Sequence, residues 1–300
     1  MTPKFSIGSW AFSFGPFEKN PWSFARFLEY AASAGYDGVE INGFRPHPHP
    51  DDYNSDGKCK ELMKQITGLG LGVSGYAPAF GDTPPSKVEK RVYLNAMAKC
   101  LTFCERCGIT VLRVDTASPP VDMPGDRYRA DFDRLVDAWH DAAALSEKAG
   151  VLLVWEFEPG FWLNKPSEVL SAAAAVGHQN FSLLFDTSHA YMGAVVGARH
   201  AGEPEMLSDG VAGYARLVHD YIGHLHLIDS DGSLHDNETS THTPFGEGHI
   251  DFISSLLPIT DVALGLEWWT TDFCFSAQTE TAAKKAPTIM KKIAEDLANG

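Results

Sequence analysis

The sequence predicts an α/β protein folded as a single (β/α)8 TIM barrel. Three observations predict it: the length of the chain, an eightfold alternation of short apolar runs with longer amphipathic stretches, and a composition that stays even throughout. At 300 residues the chain matches one barrel of ~250 residues with loop insertions. Hydrophobic residues make up 44% of it, enough for one large core.

Runs rich in β-branched residues predict strands over Phe5–Trp10, Gly38–Phe44, Gly72–Tyr76, Thr110–Asp115, Leu152–Glu158, Ser182–Thr187, Gly223–Ile228 and Ala263–Trp268. The stretches between them predict helices over Trp22–Ala34, Lys58–Leu69, Ser86–Cys107, Arg129–Ala149, Pro166–Val176, Gly210–Tyr221, Asp251–Leu257 and Glu280–Ala298. Strand then helix, repeated in this way, gives a parallel sheet with helical crossovers. Eight such units close a barrel. Gly35, Gly70, Gly108 and Gly150 each stand between a helical stretch and a strand, where a left-handed residue ends a helix. Pro166-Ser167-Glu168 places proline in a first helical turn. With no linker or low-complexity segment, residues 1–300 read as one domain. The long irregular stretch from Asp229 to His249 is polar and glycine-containing, and it reads as a functional loop at the barrel mouth.

The formal net charge is −15, from 24 basic and 39 acidic residues spread along the chain. Such a field repels phosphate backbones and other polyanions, so we expect a neutral or weakly charged small-molecule partner and no nucleic acid. The N-terminus lacks the apolar segment and small-residue cleavage site of a secretory signal. No apolar run approaches the ~20 residues that span a bilayer. The expectation is a cytoplasmic protein with no membrane partner. Cys100, Cys104 and Cys107 lie in a helical stretch with three- and four-residue apolar spacing, so they read as buried free thiols rather than a metal cluster. Neither a G-x-G-x-x-G nor a P-loop is present, which argues against dinucleotide or ATP chemistry.

In barrels the chemistry sits at the C-terminal ends of the strands. Here the fifth ends Val154-Trp155-Glu156-Phe157-Glu158, and the sixth Leu184-Phe185-Asp186-Thr187-Ser188-His189. The seventh reads His224-Leu225-His226-Leu227-Ile228-Asp229, and the eighth ends Leu266-Glu267-Trp268-Trp269. These ionisable groups follow apolar runs directly, where burial without a partner costs several kcal/mol. Carboxylate, carboxylate, imidazole and carboxylate on four consecutive strands make a cage for a divalent cation. Mixed oxygen and nitrogen donors suit Mn²⁺, Mg²⁺, Co²⁺ or Zn²⁺. On strand four Arg113 and Asp115 alternate and point inward, either as a structural ion pair or as part of the site. Proline at every second position stiffens Gly43-Phe44-Arg45-Pro46-His47-Pro48-His49-Pro50, holding His47 and His49 in place for substrate contact. Trp10, Phe12, Phe14, Phe161, Trp162, Trp268 and Trp269 either offer stacking faces around the mouth or pack the core.

These strand ends resemble the xylose-isomerase-like TIM-barrel superfamily, in particular its sugar phosphate isomerase/epimerase branch, which includes the ketose 3-epimerases. Asp186-Thr187-Ser188-His189 is similar to its D-T-x-H element, and His224-Leu225-His226-Leu227-Ile228-Asp229 to its H-x-H-x-x-D strand. Pro244-Phe245-Gly246-Glu247-Gly248-His249-Ile250-Asp251-Phe252 resembles its P-x-G-E-G-x-x-D-F segment, and Gly265-Leu266-Glu267 its final strand glutamate. The resemblance covers essentially the whole barrel. It implies that Glu156, Asp186, His226 and Glu267 hold the metal, with Mn²⁺ the first expectation. Glu156 and Glu158 share a strand face. The family placing of Gly150-Val151 and Pro159-Gly160 favours Glu156 as the ligand and leaves Glu158 to contact substrate.

By the same resemblance, Glu156 and Glu267 flank a bound sugar. One removes a proton next to a carbonyl and the other returns it, while the metal stabilises the enediolate. His189 then holds a substrate hydroxyl, with Arg113, His47, His49 and His224 further candidates for substrate contact. The superfamily also implies an alternative, a metal-dependent lyase of 3-oxo sugars similar to C-glycoside deglycosidases, working with a small partner subunit. Its mouth aromatics would accommodate an aglycone. A nuclease is opposed by the charge of −15, and a non-catalytic barrel by the presence of every candidate ligand. The absence of a basic cluster points to a non-phosphorylated sugar. Homo-oligomerisation is the family tendency.

Overall fold

Eight parallel strands close into a barrel in the computed structural model, which describes residues 2–300. They are β1 (Lys4–Gly8), β2 (Gly38–Asn42), β3 (Gly72–Ala77), β4 (Val111–Val114), β5 (Leu152–Glu156), β6 (Phe181–Asp186), β7 (Ile222–Leu227) and β8 (Trp268–Thr271). Neighbours in sequence are neighbours in the sheet, and β8 closes the ring against β1 with Lys4 opposite Trp268. Helices α1 (Phe24–Ser33), α2 (Asp56–Gly68), α3 (Lys90–Cys107), α4 (Gly125–Lys148) and α5 (Pro166–Val176) follow the first five strands. Helices Gly210–Val218, Phe252–Leu256, Thr260–Gly265 and Ala286–Asn299 complete the outer layer. Gly35, Gly70, Gly108 and Gly150 all adopt positive φ after their helices, as expected.

Alternation along each strand divides the interior into two parts. Outward residues such as Trp155, Phe157 and Phe185 pack on the helices: the rings of Trp139 and Trp155 lie 4.9 Å apart, as do those of Phe157 and Tyr214. Burying side chains of this size contributes about 1.5–3 kcal/mol each. The five cysteines are free and buried, and burial pushes the Cys100 thiol up to about 12. Among the described residues, no helix is long and apolar enough to cross a membrane.

The last strand departs from the sequence reading. Ala263 belongs to helix Thr260–Gly265, and β8 starts at Trp268 rather than ending there. The run is apolar because it is the buried turn of a helix; Trp269 Nε1 donates to the Ala263 carbonyl at 2.8 Å. A short apolar run does not distinguish the two. Trp268 plugs the barrel floor against Gly38 and Gly72, where an added Cβ would sit 2.7 and 2.9 Å from the indole.

The proline-punctuated loop after β2 is tied inward, not toward the mouth. His47 is 2% exposed. Its Nε2 donates to the Trp22 carbonyl (3.1 Å), and its Nδ1 accepts from Ser9 Oγ (3.0 Å). The Ser9 hydroxyl in turn accepts the Asn42 amide. Burial outweighs the Trp22 hydrogen bond and lowers the His47 pKa to about 4. The unfolded chain, with histidine near 6.5, therefore binds this proton first as pH falls. The native stability is intact above pH ~6.5 and is lost toward pH ~4, by up to about 3 kcal/mol. Urea unfolding of metal-free protein at pH 7.5 and 4.5 should show this loss and show it reduced in His47→Gln; an identical loss in both would refute the assignment.

Candidate metal centre and active site

Period two along β5 turns Val154 and Glu156 inward while Trp155 packs outward. Asp186 ends β6 and caps the short helix Thr187–Tyr191: one carboxylate oxygen accepts the His189 amide at 2.8 Å. The other, Oδ2, is buried without a hydrogen-bond partner. His226 on β7 places Nδ1 3.0 Å from Glu156 Oε1 and 3.5 Å from Asp272 Oδ2. Asp272 stands one residue past β8 and accepts from Trp10 Nε1. The Trp10 ring lies over His226, with centroids 5.5 Å apart. One donor atom from each of Glu156, Asp186, His226 and Asp272 lies within 4.8 Å of all the others.

The charge of this cluster is unbalanced. Glu40, Asp115, Glu156, Asp186 and Asp272 are all buried, and the one guanidinium among them, Arg113, pairs with Glu156 and with Asp115 (3.3 Å). Burial raises the Glu156 carboxyl, but Arg113 and His226 outweigh it and hold it down to about 2. At Asp186 burial, helped by the neighbouring Asp272 and Glu156 carboxylates, outweighs the pull of His242 and His226 and pushes the carboxyl up to about 7. Glu158 is also raised to about 7, by burial and by Glu156. Burial keeps His189 neutral, at about 3, whereas Asp272 overcomes burial at His242 and raises it to about 9.

Asp186 Oδ2 is buried with no hydrogen-bond partner, and the 3.0 Å contact between Glu156 Oε1 and His226 Nδ1 lacks hydrogen-bond alignment, which leaves both of those atoms unsatisfied. Such atoms are costly unless something else satisfies them. Three carboxylates and one imidazole converging with spare lone pairs fit a divalent cation that takes oxygen and nitrogen donors. Beneath them Glu40 Oε2 accepts from His224 Nε2 (2.8 Å), His226 Nε2 (3.1 Å) and Thr270 Oγ1 (3.0 Å). A proton held on Nε2 leaves Nδ1 of His226 free to act as a ligand.

The sequence-predicted residues fall in two groups. Arg113, Glu156, Glu158 and His189 line one cavity of 370 Å³ at the mouth, together with Asp115 and Asp272; Asp186 and His226 lie under its floor. Glu267 does not join them. It precedes β8 at the opposite end of the barrel, is mostly exposed, and bonds Lys4 Nζ at 2.9 Å. Its parity is that of outward Trp269, while Trp268, Thr270 and Asp272 face in, so Asp272 occupies the place expected for Glu267. His224 is held by Glu40 below the cavity rather than by substrate. His47 is the buried loop tie described above, and His49 turns away to accept the Asp51 amide at 3.2 Å. Neither lines the cavity.

Sequence reasoning missed Asp272, Glu40 and His242. Asp272 follows Trp268-Trp269-Thr270-Thr271, whose threonines break the apolar run. Glu40 is a lone carboxylate inside Gly38-Val39-Glu40-Ile41-Asn42, a signal that was present. His242 comes from the long loop, 3.3 Å from Asp272, and sequence alone does not single it out from His235 and His249. The loop itself is anchored by Asp229, whose carboxylate accepts the amides of Gly246, Gly248 and Ile250. A Cβ on Gly248 would sit 2.3 Å from that carboxylate. The glycines of the P-F-G-E-G-H-I segment thus serve loop closure, not chemistry. This closure carries a two-stranded hairpin, Leu234–His235 with Thr239–Ser240, over the mouth. There Thr239 donates to Glu158, and Ser240 Oγ bonds His189 Nδ1 at 2.8 Å.

Known proteins share this fold. The fructoselysine 3-epimerase of Shigella flexneri is 26% identical over 254 residues, covering 80% of this chain and 81% of that one. A solved L-ribulose 3-epimerase superposes with a TM-score of 0.72 at 19% identity, covering 99% of this chain and 96% of the other. A D-tagatose 3-epimerase-like protein does so with a TM-score of 0.72 at 18% identity, covering 98% of each. The family model for the xylose isomerase-like TIM barrel matches residues 28–293. The chain is therefore an enzyme belonging to the xylose isomerase-like TIM barrel family.

Proposed function

We propose that this enzyme is a divalent-metal-dependent sugar epimerase or isomerase that moves a proton on the carbon next to a carbonyl. The observation that carries the reading is the pair Glu156 and Asp272, two carboxylates from β5 and β8 that line one cavity over a shared set of spare ligand atoms. The names of the similar proteins, 3-epimerases of ketoses and of fructoselysine, support it.

Glu156, Asp186, His226 and Asp272 would hold the cation, with Mn²⁺ first among the candidates. When bound, it supplies electrostatic stabilisation of the oxyanion that develops as the C–H bond breaks. The chain's own groups do the rest. One of Glu156 and Asp272 accepts the proton from one face of the carbon, and the other returns a proton on the opposite face. Return to the same carbon gives epimerisation, and return to its neighbour gives isomerisation. Arg113 orients Glu156. His189, neutral and fixed through Nδ1 by Ser240, presents Nε2 to a substrate hydroxyl, and Glu158 holds a second. The hairpin over the mouth excludes water.

The test is solvent deuterium exchange. Mn²⁺-loaded protein in D₂O, given fructose, tagatose, psicose, ribulose and fructoselysine, should incorporate deuterium next to the carbonyl of at least one and form its epimer or isomer. Stripping the metal should lower that rate by about 10³-fold or more. No exchange on any carbonyl sugar at full metal loading would refute the reading; loss of a leaving group after exchange would replace it with a lyase.

A further inference from the structure

A second cavity lies between the loop that leads from β4 into α4, the first turn of α4 and Trp162. It holds 290 Å³, close to the ~300 Å³ at which small-molecule sites begin. Of their lining residues, this cavity and the one at the barrel mouth have Ala117 alone in common. The walls are largely apolar, from Pro84, Pro119, Val121 and Met123, and Val121 is left 48% exposed. Two cations, Lys87 and Arg127, stand among them.

The Trp162 indole is what points to a ligand. It is 2% exposed, and among the described residues its Nε1 has no acceptor, although a buried indole N–H ordinarily finds one. The residue is held from both sides. Its amide donates to the Ser118 carbonyl (2.8 Å), its carbonyl accepts from Thr116 Oγ1 (3.2 Å), and Tyr128 packs edge-on to the ring at 5.4 Å. Positive charge gathers around the same cavity in a chain whose net charge is −15. Lys87 pairs with Asp131, and Arg127 reaches the same carboxylate oxygen at 3.8 Å, so two cations share one anion. Asp122 and Asp126, the carboxylates nearest along this loop, turn instead to the amides of Gly202 and Arg127. One surplus cation, an orphan N–H and apolar walls suit a single carboxylate group with an apolar body. A phosphate dianion would leave those walls unused.

We propose that this cavity is a second binding site, separate from the sugar site and independent of its chemistry, for a small organic carboxylate with an apolar body. The carboxylate takes the Trp162 N–H and the charge of Lys87 and Arg127, and the body lies against Val121 and Met123.

Calorimetric titration decides it. Hexanoate, hexan-1-ol, n-hexylammonium and inorganic phosphate are titrated into the full chain with and without Mn²⁺. Hexanoate should bind at least about tenfold tighter than each of the other three, and equally in both metal states. Trp162→Phe keeps the ring and removes the N–H, and should weaken hexanoate about tenfold. Arg127→Gln, at a side chain 64% exposed, should weaken it at least about threefold. Phe44→Ala, in the mouth cavity, should leave it within about twofold of the parent. Parental thermal unfolding confirms that each variant folds; if Trp162→Phe does not, Arg127→Gln decides alone. No hexanoate binding, equal affinity for the alcohol, the ammonium or phosphate, binding lost with the metal or in Phe44→Ala, or parental affinity in the folded Trp162 and Arg127 variants would overturn the proposal. The deuterium-exchange experiment tests the sugar site separately, and neither outcome there moves this one.

Discussion

Asp272→Asn is expected to abolish proton exchange, by about 10³-fold or more, and to weaken Mn²⁺ binding at least ~10-fold, while Glu267→Gln leaves both within about twofold. Asparagine keeps the size of the side chain and an oxygen for the Trp10 indole, so the fold around β8 should survive, which circular dichroism and thermal unfolding check. What is lost is a negative charge within reach of His226 Nδ1 (3.5 Å) and Glu156, and with it one of the two carboxylates proposed to bracket the reacting carbon. Glu267 is exposed at the other end of the barrel, and its bond to Lys4 is a surface ion pair contributing about 0–1 kcal/mol. The paired result is asymmetric by design: a large loss in Glu267→Gln with a mild one in Asp272→Asn would return the eighth-strand carboxylate to the position expected from sequence.

That reversal shows where sequence reading runs out. Glu156 and Asp186 are legible because each closes an apolar run whose last residue the period-two rule turns inward, and His226 because it alternates with apolar residues inside such a strand. The eighth strand hides its carboxylate because its inner face is polar on purpose. Thr270 bonds Ser6 Oγ at 2.8 Å and Glu40 at 3.0 Å, threading hydroxyls through the barrel core. Two threonines before an aspartate look like a turn, and the apolar helix just upstream looks like the strand. His47 misleads for a related reason. Regular prolines do fix the loop, but stiffness says nothing about direction, and this loop is fastened to Ser9 and Trp22. The motif glycines around Gly246 and Gly248 mark a real constraint, the closure of a loop on Asp229, although the chemistry lies elsewhere.

Glu40 is the least visible part of the site and carries the second large prediction. β2 and β7 are separated in the ring by β1 and β8, so no spacing along the chain relates Glu40 to His224 and His226. Inside the barrel its Oε2 receives both imidazoles and Thr270. Burial alone would raise its pKa, but the two histidines hold the carboxyl well below the usual carboxylate range. Removing it in Glu40→Ala strands two buried imidazoles, which costs about 3–5 kcal/mol and should lower the unfolding midpoint of the metal-free protein by roughly 5–8 °C. Glu40→Gln separates this from orientation. The amide retains an acceptor and most of the volume, so stability should largely recover. Its weaker pull on the Nε2 proton lets His226 turn or change tautomer, and Mn²⁺ affinity should fall by roughly 10–100-fold, the range for groups that fix a ligating histidine. A Glu40→Gln enzyme that is less stable yet binds Mn²⁺ as tightly as the parent would make Glu40 a packing element of the barrel and nothing more. Loss of affinity at near-parental stability means that the charge under His226 sets which nitrogen faces the carboxylates above.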